Sequence, residues 1–178
     1  MKSYEQDRAV PSNKICMEIH EHFKTPVKIK RHCEKVASVA VSMADVLIKK
    51  GCSLDVKKIK SAALLHDIVR YKKNHAAEGA ILLDDLGFTG ISLIVKAHME
   101  PDEYDMFNIT EKSIVYLADK LVSGDSIISL EERFYEKTEI YQIGGQAYKA
   151  VEKRYKQAQQ VENMIKQLIN GESYLDKL

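Results

Sequence analysis

Apolar residues in this chain recur every three to four positions along almost its whole length, and no stretch alternates polar and apolar residues as a half-buried strand does. That period commits the fold to helices. Ser12 can cap a first helix reaching about Phe23, and Thr25-Pro26 supplies an N-cap and first-turn proline for a long helix that Gly51 closes. A third helix is predicted from about Asp55 through Val69, and Asn74 caps a fourth that Gly87 ends. Thr89 opens a fifth, which Pro101 stops; Thr110 caps a sixth that reaches Val122 before Gly124-Asp125 breaks the pattern. A short helix over Leu130–Thr138 and a long one from Gln146 to Asn170 complete the series. Glu100–Ile109 is polar, contains Pro101 and reads as a surface loop. The expected fold class is all-α: a single domain over 1–178, with a core of about 25–138 and the C-terminal helix, 146–170, packed on it through Tyr148, Val151, Tyr155, Ala158, Ile165 and Leu168.

The bulk numbers narrow the function. A length of 178 residues suits one well-packed domain, and a formal net charge of +1 excludes a general nucleic-acid coat. Cys16, Cys33 and Cys52 are odd in number, widely spaced and form no CxxC, which points to neither a disulfide framework nor a zinc ribbon but to a reducing cytoplasm. The start, Met1 to Arg8, lacks the apolar run of a signal peptide, and no apolar stretch approaches a membrane span. A soluble protein is expected.

The chemistry lies in which helix faces carry titratable residues. His32 is in line with Val36, Val39 and Met43; His66 continues Ile59, Ala62 and Ala63; His75 aligns with Gly79, Leu82 and Leu86. His98 completes Ile91, Ile94 and Val95, and Asp119 completes Val115, Ala118 and Val122, while Asp67 sits between apolar neighbours beside His66. Such stripes face a core, where an isolated carboxylate needs a cation or several donors. One buried histidine is ordinary. Six such residues on inward faces of five helices are hard to satisfy one by one, and a shared divalent cation satisfies them together. His and Asp suit iron, manganese, nickel or zinc. His20 and His22 lie among Glu18, Glu21 and Lys24 and are expected at the surface.

The pattern His32 … His66-Asp67 … Asp119, with Arg31-His32-Cys33-Glu34, Ala62-Ala63-Leu64-Leu65-His66-Asp67 and Tyr116-Leu117-Ala118-Asp119-Lys120, resembles the HD-domain superfamily of metal-dependent phosphohydrolases over roughly Val27 to Arg133. His75-Ala76-Ala77-Glu78-Gly79 and Ala97-His98-Met99 resemble the two further histidine segments of dinuclear members. The nearest groups are bacterial hydrolases of diadenosine tetraphosphate and HD domains associated with nucleotidyltransferases of the molybdenum-hydroxylase type. Ile29 departs from the former, which carry arginine there, and the segment after Asp119 lacks their Ile-Glu-Pro-Gly pattern. The resemblance implies an HD-type helical bundle. It implies that His32, His66, Asp67 and Asp119 hold one metal, that His75 and His98 hold a second, and that Asp67 bridges the two. Two ions are expected, iron or manganese first, with zinc, nickel or magnesium as the other options. The implied activity is hydrolysis of a phosphoester or phosphoanhydride in a nucleotide or similar small phosphorylated substrate through a metal-bound hydroxide. The alternative is a non-catalytic HD module that binds a nucleotide or protein partner. A homodimer is left open.

Two basic residues join the catalytic candidates Asp67 and His66. Arg70 lies one turn past His66, either to complement the helix end or, as the resemblance favours, to grip a substrate phosphate. Lys120 follows Asp119 and either reaches the same phosphates, lies at the surface or supports the ligands from behind. Lys72 and Lys73 form a solvated turn or a basic rim, and Gly79 is expected to let helices approach closely enough to bring His75 to the metal.

Overall fold

The computed structural model describes residues 10–141 and 143–175; the Met1–Arg8 segment read for a leader lies outside them. Its helices are α1 (Asn13–His22), α2 (Val27–Lys49), α3 (Val56–Leu65), α4 (His75–Asp85), α5 (Thr89–Ala97), α6 (Glu103–Phe107), α7 (Glu111–Lys120), α8 (Leu130–Ile140) and α9 (Gln146–Ile169). A two-stranded hairpin, β1 (Val122–Ser123) and β2 (Ser126–Ile127), lies between α7 and α8. The architecture is all-α, and no described helix is long and apolar enough to cross a membrane.

The axis of the fold is α2, which contains no glycine or proline and buries Val36, Ala40, Met43 and Leu47 at helical spacing. It packs chiefly against α3 and α7, while α4 packs on α5 and α5 on α3. The resulting core continues into α9 through Val151, Ala158, Val161, Ile165 and Ile169. Leu168, expected inward, is 39% exposed; Val161 and Ile169 take the inward positions.

Local chemistry explains where the helices begin and end. Ser12, Thr110 and Asp55 each cap a helix through a side-chain oxygen, and Thr110 forms a reciprocal capping box with Ser113. Thr25 does not cap α2. Pro26 occupies that position, and the Thr25 hydroxyl instead donates to the Ile68 carbonyl at 3.1 Å. Asn74 precedes α4 but makes no side-chain cap bond.

The end of α3 is the correction that matters most. It stops at Leu65 rather than Val69, and the chain continues in tight turns: Arg70 N–H donates to Asp67 O at 3.0 Å and Lys72 N–H to Val69 O at 2.8 Å. Side chains bond to two carbonyls at this turn: the His66 ring donates to Ala63 O and the Thr25 hydroxyl to Ile68 O. The β-branched Ile68 and Val69 add a weak helix preference.

Three further departures have equally local causes. Within the expected loop 100–109, Asp102 caps the short helix α6 by accepting from Asp105 N–H. The Gly124-Asp125 break is a two-residue hairpin turn, pairing Val122 with Ile127 and Ser123 with Ser126, with Gly124 at φ +61°. His20 is buried at 1% exposure, and its Nε2–H donates to Leu64 O at 2.7 Å. Its polar neighbours misled the reading, since Cys16, Ile19 and His20 share the buried face of α1.

Candidate metal centre

His66 and His98 reach the site by the same device. Each caps the C-terminal end of a helix, His66 after α3 and His98 after α5. Each ring donates Nδ1–H to the carbonyl three residues back, His66 to Ala63 O at 2.7 Å and His98 to Val95 O at 2.6 Å. A carbonyl only accepts, so the neutral tautomer is fixed and the Nε2 lone pair faces inward. His32, on α2, is set the same way by the hairpin: its Nδ1–H donates to Gly124 O at 2.9 Å. Backbone carbonyls that orient ligating imidazoles in this manner are characteristic of metal sites.

The carboxylates meet those lone pairs. Asp119 Oδ1 lies 3.1 Å from His32 Nε2 and 3.5 Å from His66 Nε2, and Asp119 Oδ2 lies 2.5 Å from Lys120 Nζ. Asp67 divides its two oxygens: Oδ1 is 3.2 Å from His75 Nε2 and 3.6 Å from His98 Nε2, while Oδ2 is 3.6 Å from His66 Nε2. All six predicted ligands are buried, none more than 8% exposed. Their ligand atoms form two compact groups that can hold a metal ion, His32-His66-Asp67 and Asp67-His75-His98, each within 4.8 Å and joined by Asp67.

The donor set fits a cation. His66 Nε2 and Asp67 Oδ1 are buried without a hydrogen-bond partner among the described residues. His75 Nε2 and His98 Nε2 face each other at 3.2 Å, and only a proton or a positive ion reconciles two such nitrogens. The C-terminal ends of α3, α5 and α7 all converge here, and their dipoles add negative potential. Electrostatics agrees in sign. Burial and the proximity of His66 oppose each other at Asp67, and the latter, with His75 and His98, holds its carboxyl well below the usual range. Burial disfavours the ion at Asp119 too, but the Lys120 cation, His32 and His66 outweigh it and push its pKa down. At His66, burial is overcome by Cys33, Asp67 and Asp119, which raise its pKa. That proton must sit on Nε2, where a metal would bind, so metal and proton compete for one lone pair.

The two basic candidates, Arg70 and Lys120, both reach the cluster. Arg70 follows the end of α3 rather than riding its last turn; its Nε lies 3.2 Å from Asp67 Oδ2 and its Nη1 3.2 Å from His75 Nε2. Lys120 is buried at 4% exposure and bonded to Asp119 and to the His98 carbonyl, so it is not at the surface but supports Asp119. Gly79 touches Val95, Ile68 and Val69, but an added Cβ would meet them at 3.6–3.8 Å, ordinary contact. Close approach alone does not demand glycine there. Lys72 pairs with Glu78 at 3.0 Å, and Lys73 lines a groove beside His75.

Above the cluster opens a cavity of about 250 Å³, whose wall adds Lys28, Ile29, Met99, Arg133, Phe134 and Arg154. Sequence reasoning did not assign Lys28, Arg133 or Arg154 to the site. They come from the first turn of α2, from α8 and from α9, and no shared stripe or motif links them. Ile29, noted for its departure from one group of relatives, does line the cavity.

Comparison with known proteins agrees with this geometry. The HD domain family profile matches residues 29–124, a span that contains all six buried His and Asp residues of the cluster. The chain is 28% identical over 119 residues to an uncharacterized protein of Methanocaldococcus jannaschii, covering 57% of this chain and 70% of that one. It is 32% identical over 141 residues to a tRNA (cytidine(56)-2'-O)-methyltransferase of Picrophilus torridus, covering 69% of this chain but only 40% of the methyltransferase. No solved structure matches.

Proposed function

Because the chain belongs to the HD domain family, we propose that it is a metal-dependent phosphohydrolase acting on a phosphoester or phosphoanhydride of a nucleotide or similar small phosphorylated molecule. The observation that carries this reading is the division of Asp67, one oxygen toward His66 and the other toward His75 and His98. On this reading His32, His66, Asp67 and Asp119 hold one divalent ion, and Asp67, His75 and His98 hold a second. Iron or manganese suits the mixed imidazole and carboxylate set. Such ions, when bound, polarise a phosphoryl oxygen and lower the pKa of water toward neutrality.

The protein's own groups supply orientation and charge. Carbonyls of Ala63, Val95 and Gly124 keep three imidazoles in the ligating tautomer. Lys120 fixes Asp119 and ties it to the end of α5 through the His98 carbonyl. Arg70, with its side chain 47% exposed, is close enough to Asp67 to turn toward a phosphate without leaving the cavity.

One observation favours a second reading, a non-catalytic module that binds a nucleotide or protein partner: the match to the methyltransferase covers 40% of a larger enzyme. Against it, degenerate modules lose ligands, and here every ligand position is filled. Elemental analysis of protein purified without chelator is expected to find between about one and two transition-metal ions per chain, as a two-ion site predicts. Hydrolysis across a panel of nucleoside mono-, di- and triphosphates, dinucleoside polyphosphates and cyclic nucleotides, with added manganese, completes the test. Folded protein with neither metal nor hydrolysis overturns the enzymatic reading.

A further inference from the structure

We infer that Lys28 and Arg133 form a subsite for a second anionic group of the substrate, beyond the phosphorus that is attacked. This selects compounds with adjoining phosphates over simple monophosphates, and it rests on the hydrolase reading above for what happens at the His/Asp cluster.

Among the described residues the cavity wall holds five basic side chains, and they divide into two kinds. Three are already committed: Arg70 to Asp67 at 3.2 Å, Lys120 to Asp119 at 2.5 Å, and Arg154 to Glu100 at 3.5 Å. Lys28 and Arg133 form no ion pair with any described residue, and Arg133 Nε is buried with no hydrogen-bond partner. A guanidinium nitrogen withdrawn from water without an acceptor is unfavourable, and in a cavity the missing acceptor is a ligand's to provide. Phosphate oxygens match that need in charge and geometry.

Position shows which part of a ligand they would meet. Lys28 lies one turn before His32 on the same face of α2, and Arg133 comes from α8, which follows the hairpin that bears Gly124. The adjoining groove, of about 670 Å³, is reached past His75, Met99 and Arg154, and neither Lys28 nor Arg133 lines it. Along that groove Lys112 pairs with Asp102 and Arg154 with Glu100, and its other lysines, Lys73 and Lys96, do not line the cavity. The cavity's uncompensated positive charge is therefore confined to the wall away from the groove. A single phosphate at the metal ligands leaves it unused; a second phosphate on that side neutralises it. Both residues lie outside the span 29–124 that the family profile matches, Lys28 immediately before it and Arg133 after it.

The test uses the full chain as purified, with calorimetric titration of methylenediphosphonate, which carries two linked phosphonates, against methylphosphonate, which carries one. Wild type is expected to prefer the former by about 10-fold or more. In K28Q and in R133Q the preference should fall below about 3-fold, with R133K recovering part of it. Lys28 is exposed, so K28Q decides the matter even if R133Q is poorly folded. No preference in wild type, a preference intact in the variants, or an equal loss for both probes overturns the subsite. The two readings fail separately. A protein that hydrolyses nothing yet keeps the preference sinks the hydrolase and retains the subsite, and a hydrolase with no preference does the reverse.

Discussion

His20 and His66 are both almost fully buried and meet nearly the same stretch of α3, yet one stands apart and the other belongs to the His/Asp cluster. His20 donates Nε2–H to Leu64 O, and its Nδ1 is buried without a hydrogen-bond partner among the described residues. His66, two residues along, donates Nδ1–H to Ala63 O and aims Nε2 at Asp67 and Asp119. Burial does not separate them. What separates them is the company kept by the second ring nitrogen: no hydrogen-bond partner among the described residues at one, two carboxylates at the other.

That contrast can be broken most severely at Asp67. Asp67→Ala removes the residue common to both ligand groups, so metal content should fall toward zero and hydrolysis by about 10³-fold or more, given what metal activation contributes. Elemental analysis and steady-state kinetics read the two effects. Hydrolysis undiminished in this variant would place the chemistry elsewhere.

A smaller effect sharpens the contrast between the histidines. His98→Ala should reduce activity by about 10- to 100-fold and lower the metal count toward one, on the scale typical of perturbed metal sites. His20→Ala should leave metal content unchanged and instead lower stability by about 1–3 kcal/mol, from a lost buried hydrogen bond and a small cavity. Chemical denaturation alongside metal analysis distinguishes them. If His20→Ala also strips metal, the two environments are not separate.

The smallest effect is a pH dependence. Burial lowers the His20 pKa, reinforced by Lys30 and opposed by the Leu64 bond and Glu34. A depressed histidine pKa means that the unfolded chain takes up the proton first as pH falls. Stability at His20 is therefore full above the unfolded value, near 6.5, and is lost as pH drops below it toward the folded value. His20→Phe should flatten the stability profile in that window, measured as the denaturation midpoint against pH. An unchanged slope would show that His20 is not among the groups that set it.

Much of this was legible from the residues alone, and the reasons are specific. His32, His66, His75, His98 and Asp119 sit on apolar stripes whose period reports their inward direction, and the structure buries every one. Ser12 and Thr110 cap as their positions predict. What was not legible depends on partners remote in the chain. The Thr25 hydroxyl, 43 residues away, meets the Ile68 carbonyl just past the end of α3. Arg133 and Arg154 reach the cavity only because α8 and α9 fold back over it. His20 is the exception, for its signal was present: Cys16, Ile19 and His20 share one spacing, and the charged neighbours lie on the other face.

The histidine rings that end α3 and α5 are each tied to their own last turn, with no slack between imidazole and backbone. The two helices therefore act like the jaws of a caliper. Where α5 packs against α3, any slide of one along the other moves a nitrogen by the same distance, because no side-chain torsion is left to absorb it. Conservative changes at Ile94 or Ala63, far too mild to unfold the protein, should then register first in metal affinity, making the centre a gauge of how its core is packed.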